Sequence, residues 1–117
     1  MLIHNFLDAD YRLEEVHGGR GLCRNARVFA DEEIPSPVRF IYYTVMPPKA
    51  SFGLHRHGRD NEFYIVLEGT GVYTQDGVET PVRAGDIMMN DACAEHGIVN
   101  TGETDMRLLV FEAVIEG

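Results

Sequence analysis

Residues 52–62 read Phe52-Gly53-Leu54-His55-Arg56-His57-Gly58-Arg59-Asp60-Asn61-Glu62. On a β-strand, residues two apart share a face and lie about 6.6 Å from each other, so His55 and His57 can lean toward one point. The polar turn at 58–61 is expected to fold the next strand back alongside the first, with Glu62 across from the histidine pair. By itself a His-x-His is weak evidence, because alternating polar residues usually mark the solvent face of a strand. A third histidine, His96, heads a later strand after a turn at 90–95, in a chain with five histidines. His4 and His17 fit no such pattern and read as exposed or locally bonded side chains.

Outward from this stretch the chain breaks into short alternating or β-branched runs, with no long stretch of helical period. Strands are expected at 26–30, 38–46, 51–57, 62–67, 71–75, 78–83, 86–90, 96–100 and 105–115. Their close, regular spacing is the pattern of an all-β sandwich or closed barrel. Asp76-Gly77, set between Tyr73-Thr74-Gln75 and Val78-Glu79-Thr80, supplies the positive φ angles of a type I′ hairpin. Pro47-Pro48, Gly69 with Gly71, Ala84-Gly85-Asp86 and Asn100-Thr101-Gly102 punctuate the other strands. A short helix is expected at 7–16, followed by a flexible connector, His17-Gly18-Gly19-Arg20-Gly21, that lacks the strand-to-helix setting of a phosphate loop.

The size of 117 residues fits one domain spanning 1–117, in which 1–25 form an N-terminal extension that packs on the barrel or on a dimer partner. Nineteen Asp and Glu face ten Lys and Arg, a net charge of −9, which repels phosphate backbones and argues against a nucleic-acid partner. Only one of the ten is a lysine, Lys49; one or two of the nine arginines remain available to pair with an anionic ligand inside a pocket. No apolar run approaches membrane-spanning length, and Met1-Leu2-Ile3-His4-Asn5-Phe6 lacks the order of a signal peptide, so a cytoplasmic, non-membrane protein is expected. Cys23 and Cys93 are too few for a disulfide framework and read as thiols; a turn residue explains Cys93 more simply than a metal ligand does.

Three imidazoles and one carboxylate, from His55, His57, Glu62 and His96, suit one divalent transition metal: manganese, iron, cobalt, nickel, copper or zinc. The centre would carry a net charge of about +1 and attract an oxygen-bearing, anionic small molecule.

At these positions the chain resembles the cupin superfamily. The first cupin motif, G-x5-H-x-H-x3/4-E-x6-G, is matched by His55, His57, Glu62 and Gly69. The second, G-x5-P-x-G-x2-H-x3-N, is matched by Gly85, His96 and Asn100. Lys49, Asp91 and Cys93 depart from it, standing where the motifs place glycine, proline and glycine. The resemblance implies an antiparallel jelly-roll β-barrel with the metal inside, commonly assembled as a homodimer. It leaves the reaction open, because cupins include dioxygenases, decarboxylases, isomerases and proteins without catalysis.

Strand parity extends the reading. If Glu62 points inward, so do Tyr64 and Val66; Gly53 follows His55 and His57, and Ile98 follows His96. The pairs Tyr42-Tyr43 and Met88-Met89 each place one member inside. Tyr64 is the candidate to hydrogen-bond a substrate or handle a proton, against the plainer reading of a barrel-filling aromatic. Two function classes follow: a metalloenzyme acting on a small oxygen-rich or carboxylate substrate, and a non-catalytic module in which the metal holds a small molecule or stabilises the barrel.

Overall fold

In the computed structural model, which describes residues 1–115, the chain runs through ten strands. These are β1 (Arg12–Glu14), β2 (Cys23–Arg27), β3 (Val38–Met46), β4 (Ser51–Arg56), β5 (Asp60–Glu68), β6 (Thr70–Gln75), β7 (Val78–Arg83), β8 (Ile87–Asn90), β9 (Glu95–Asn100) and β10 (Met106–Val114). They form two sheets, β1-β2-β3-β10-β5-β8 and β4-β9-β6-β7, in which every pairing is antiparallel. The expected all-β jelly-roll barrel is the architecture found.

Alternation along the strands makes the interior. On β10, Met106, Leu108, Val110 and Glu112 are buried in turn; on β5, the buried row is Asp60, Glu62, Tyr64 and Val66. The β5–β10 register sets Val66 beside Leu108, Tyr64 beside Val110 and Glu62 beside Glu112. One end of the barrel is therefore an apolar plug of Met46, Val66, Met106 and Leu108, while carboxylates and histidines occupy the other. Burial of each large apolar side chain contributes roughly 1.5–3 kcal/mol, so the plug supplies stability that leaves the polar end free for chemistry.

Several local expectations hold. Asp76 (φ 47) and Gly77 (φ 82) close the β6–β7 hairpin. Ile98 is buried beside His96, and Met88 is buried while Met89 is exposed. Tyr42 packs on the barrel core, whereas Tyr43 faces out and is covered by Phe6, whose ring lies 4.4 Å from it.

Others are corrected. Residues 7–16 are not a helix: Asn5 caps a turn through its side chain to the Leu7 amide, and Arg12–Glu14 pair with Cys23–Asn25 instead. That long-range ladder supplies the hydrogen bonds a local helix would have made. The same pairing draws the expected strand at 26–30 back to Cys23–Arg27. β5 does not return beside β4; the link after Arg56 carries the chain to the opposite sheet, so Glu62 faces the histidines across the interior. Gly53 does not share the inward row of His55, because the β4–β9 register shifts between Phe52 and His55, and Phe52 points inward in its place.

The connector 17–21 is docked on β4. Val16–Gly18 form a 3-10 turn, Ser51 and Arg20 exchange hydrogen bonds at 2.9 Å, and Gly53 and Gly19 approach so closely that a Cβ on Gly53 would collide with the His17 carbonyl. Glycine at both positions is what lets the turn lie against β4.

Candidate metal centre

The β4–β9 register sets His55 directly opposite His96. Across the interior, Glu62 on β5 reaches toward both, and His57 follows His55 just beyond the end of β4. The Glu62 Oε1 atom lies 3.0 Å from His96 Nε2, 3.3 Å from His57 Nε2 and 3.9 Å from His55 Nε2. One ligand atom from each of the four residues falls within 4.8 Å of the others. The structure thus brings together all four residues that the sequence singled out.

The donor set fits an ion. Nitrogen and oxygen ligands about 2.1 Å from one cation and at right angles to each other sit about 3 Å apart, close to the separations seen. The Nε2 atoms of His55 and His57 are buried with no hydrogen-bond partner, an arrangement that costs roughly 1–3 kcal/mol for each atom unless something else satisfies it. The His55 Nδ1 lies 2.7 Å from the Gly53 carbonyl. A carbonyl can only accept, so Nδ1 carries the proton and the Nε2 lone pair points into the cluster.

Charges around the cluster set the protonation of its members. Burial would raise the Glu62 carboxyl, but the surrounding imidazoles of His55, His96 and His57 overcome it and hold it at about 2, so Glu62 is ionised. Burial lowers His57 below the ordinary imidazole range, leaving it neutral and able to ligate. Behind His57, its Nδ1 lies 3.4 Å from Glu112 and 3.7 Å from Asp60. Burial and the neighbouring Asp60 push Glu112 up to about 8, because Glu112 stands beside both Asp60 and the ionised Glu62. Arg39 closes this group from outside, 3.1 Å from Glu112 and 3.6 Å from Asp60.

Tyr64 is buried, with its ring 5.8 Å from His96. Burial and the nearby Glu62 charge raise its hydroxyl well above 10, so it keeps its proton. Cys93 lies outside the cluster: it is exposed, and its thiol meets the Gly58 carbonyl at 3.5 Å. Its φ is 64, and that of Lys49 is 70. Both residues adopt the left-handed backbone that glycine would take at these two turns, so the departures from the motif leave the turn geometry in place.

His17 joins the site although it fits no spacing pattern with the other histidines. Its ring stacks on His55 at 3.5 Å between centroids and 10° between planes, held there by the docked turn. One edge stays open to solvent, while burial and the neighbouring His55 lower it to about 4. The imidazole is therefore neutral near pH 7 and free to accept a proton or a hydrogen bond.

His17, His57, Glu62 and Tyr64 line a cavity of about 350 Å³, together with Phe52 and Val110. A volume in this range takes a small organic ligand. No Arg or Lys lines it among the described residues. None of the arginines left available for an anion lines this cavity among the described residues; they sit in outer pairs such as Arg27 with Asp31 and Arg107 with Glu68.

Residues 42–112 match the Cupin domain family. An oxalate-binding protein of Thermotoga maritima is 35% identical over 98 residues, 84% of this chain and 81% of the relative. The crystal structure of a predicted oxalate decarboxylase from the same organism superposes with a TM-score of 0.93 at 29% identity, covering 97% of this chain and 100% of the other. A cupin 2 conserved barrel domain protein from Salinispora arenicola, at 22% identity, shares the fold with a TM-score of 0.71, covering 87% of this chain and 81% of that one.

Proposed function

This chain belongs to the cupin domain family, and from that premise we propose that it is a metal-dependent enzyme for a small carboxylate-bearing ligand. The ion would be held by His55, His57, Glu62 and His96, as one of manganese, iron, cobalt, nickel, copper or zinc. One observation carries the reading: buried Nε2 atoms of His55 and His57, without hydrogen-bond partners, converge on the ionised Glu62 at the wall of a ligand-sized cavity. The names of the Thermotoga maritima relatives, one oxalate-binding and one a predicted oxalate decarboxylase, support a carboxylate as the group that meets the ion.

A bound divalent ion supplies Lewis acidity at a ligand oxygen, or a position for dioxygen. The protein's own groups do the rest. Tyr64 holds its proton and donates a hydrogen bond to a ligand oxygen. His17, neutral and at the cavity wall, accepts a proton from the ligand. Phe52 and Val110 keep water from the inner wall, which strengthens every polar contact there. A second reading, binding without turnover, is favoured by the name of the oxalate-binding relative.

The test loads the metal-free protein with each ion in turn and follows binding of oxalate and other small carboxylates by calorimetry, together with carbon dioxide release and oxygen uptake. Binding only by metal-loaded protein, with turnover that is lost in His17→Asn while binding persists, is expected. Tight binding with no turnover by any metal form would select the second reading. Carboxylate binding that ignores the metal would overturn both.

A further inference from the structure

The cavity is larger than a metal-chelating carboxylate needs, and its outer part has a distinct chemistry. Its walls are Val16, Phe40, Tyr42, Phe52, Tyr64 and Val110. Glu14 and Glu15, half-buried and exposed at the end of β1, stand at the mouth. Between wall and mouth runs a short polar strip in which Thr44 Oγ1 donates to Asn25 Oδ1 at 2.6 Å and Asn25 Nδ2 donates to Glu14 Oε1 at 2.7 Å. The strip is thus oriented with its donors turned toward Glu14, and the mouth presents carboxylate acceptors.

The charges form a gradient. A divalent ion with Glu62 gives the inner end a net charge of about +1. The mouth carries the two carboxylates, and no Arg or Lys lines the cavity among the described residues to offset them. Arg12 and Arg27 line the next concavity outward, which shares Glu14, Asn25 and Tyr42 with this one; Arg27 is paired with Asp31, and its guanidinium stands 5.9 Å over the Tyr42 ring, which thus already receives a cation from that side. A ligand with carboxylates at both ends, longer than oxalate, would carry its second charge against Glu14 and Glu15. A ligand with a carboxylate at one end and a cation at the other would meet complementary charge at both. Phe40 and Tyr42, with ring centroids 5.2 Å apart, provide aromatic surface of the kind that accepts an onium group.

We infer that the ligand is zwitterionic: a carboxylate that binds at the metal end, joined through an apolar body to a quaternary ammonium or related onium group seated among Tyr42, Glu14 and Glu15. This rests on the metal-dependent reading above and extends it to the part of the ligand that never touches the ion.

Three probes of one length separate the contributions: γ-butyrobetaine, its tert-butyl analogue in which carbon replaces the charged nitrogen, and glutarate. Each is titrated into the Co2+-loaded full chain by calorimetry, with the visible Co2+ spectrum reporting the carboxylate end. The betaine is expected to bind about tenfold tighter than the tert-butyl analogue, and glutarate more weakly than either. In the Glu14→Gln, Glu15→Gln double variant the preference for the betaine should fall to near unity while the tert-butyl analogue binds as before; thermal melting confirms that the variant is folded. Equal or tighter binding of the tert-butyl analogue or glutarate, failure of all three on Co2+-loaded protein, or a preference that survives the double variant would each overturn the inference. Failure to take up Co2+ at all would instead refute the metal-dependent reading.

Discussion

Gly53→Ala tests how the N-terminal turn is held over the metal cluster. A Cβ at residue 53 would overlap the His17 carbonyl and lie 3.1 Å from the Gly19 nitrogen, both backbone atoms that cannot swing aside. Either β4 or the 17–19 turn must move, and the turn is the weaker partner because it is fixed mainly by the two hydrogen bonds between Arg20 and Ser51. Overpacking of this kind costs about 1–3 kcal/mol. At about 2.1 cal/mol/K of unfolding entropy for each of 117 residues, a loss of about 2 kcal/mol lowers the melting temperature by about 8 °C. Histidine NMR of the metal-free protein supplies a local readout. In the native protein His17 titrates at about 4, and because it is lowered, stability falls as pH drops from about 6.5 toward 4. In the variant, released from His55, His17 should titrate near 6.5. An unchanged melting temperature together with an unchanged His17 titration would refute the docking.

Lys49→Gly and Cys93→Gly should each stabilise the protein by about 0.5–1 kcal/mol, since both native residues hold a positive φ that L side chains disfavour; chemical denaturation measures the gain. Glu112→Gln should weaken metal binding about 10–100-fold by loosening His57. In the metal-free protein it should also remove a loss of stability as pH rises from about 4.5 to about 8, because the raised Glu112 favours folding only while protonated. With a disulfide reagent, native protein should expose one thiol of two: Cys93 is exposed, whereas Cys23 is buried and pushed up to about 11 by burial and Glu14.

The sequence carried the barrel and the four clustered residues because both depend on local spacing. His55, His57 and Glu62 fall within eight positions, and strand parity aims His96, Tyr64 and Val66 correctly without knowledge of the partner strands. What escaped depends on contacts between distant segments. His17 is placed by the close approach of Gly19 and Gly53, for which a glycine in each segment was the available hint. Glu112 reaches His57 through the register that sets it beside Glu62; its signal was a lone carboxylate ending the otherwise apolar row Met106, Leu108, Val110. The expected inward position of Gly53 failed because a register shift in β4 resets the parity between Phe52 and His55. Residues 7–16 failed as a helix for a related reason, since the β1–β2 ladder outcompeted the local pattern.

If three imidazoles and a carboxylate hold one ion, metal content and thermal stability depend together on each of those side chains. Elemental analysis of purified wild-type protein, His57→Ala and His96→Ala, each with its melting temperature, tests it most directly. Saturating metal at about 100 times its dissociation constant stabilises by about 2.7 kcal/mol, which for a chain of this length is about 11 °C. Wild-type protein with one transition-metal ion per chain, and variants that lose both the ion and that increment, are predicted. Full metal content in both variants would rule out His57 and His96 as ligands.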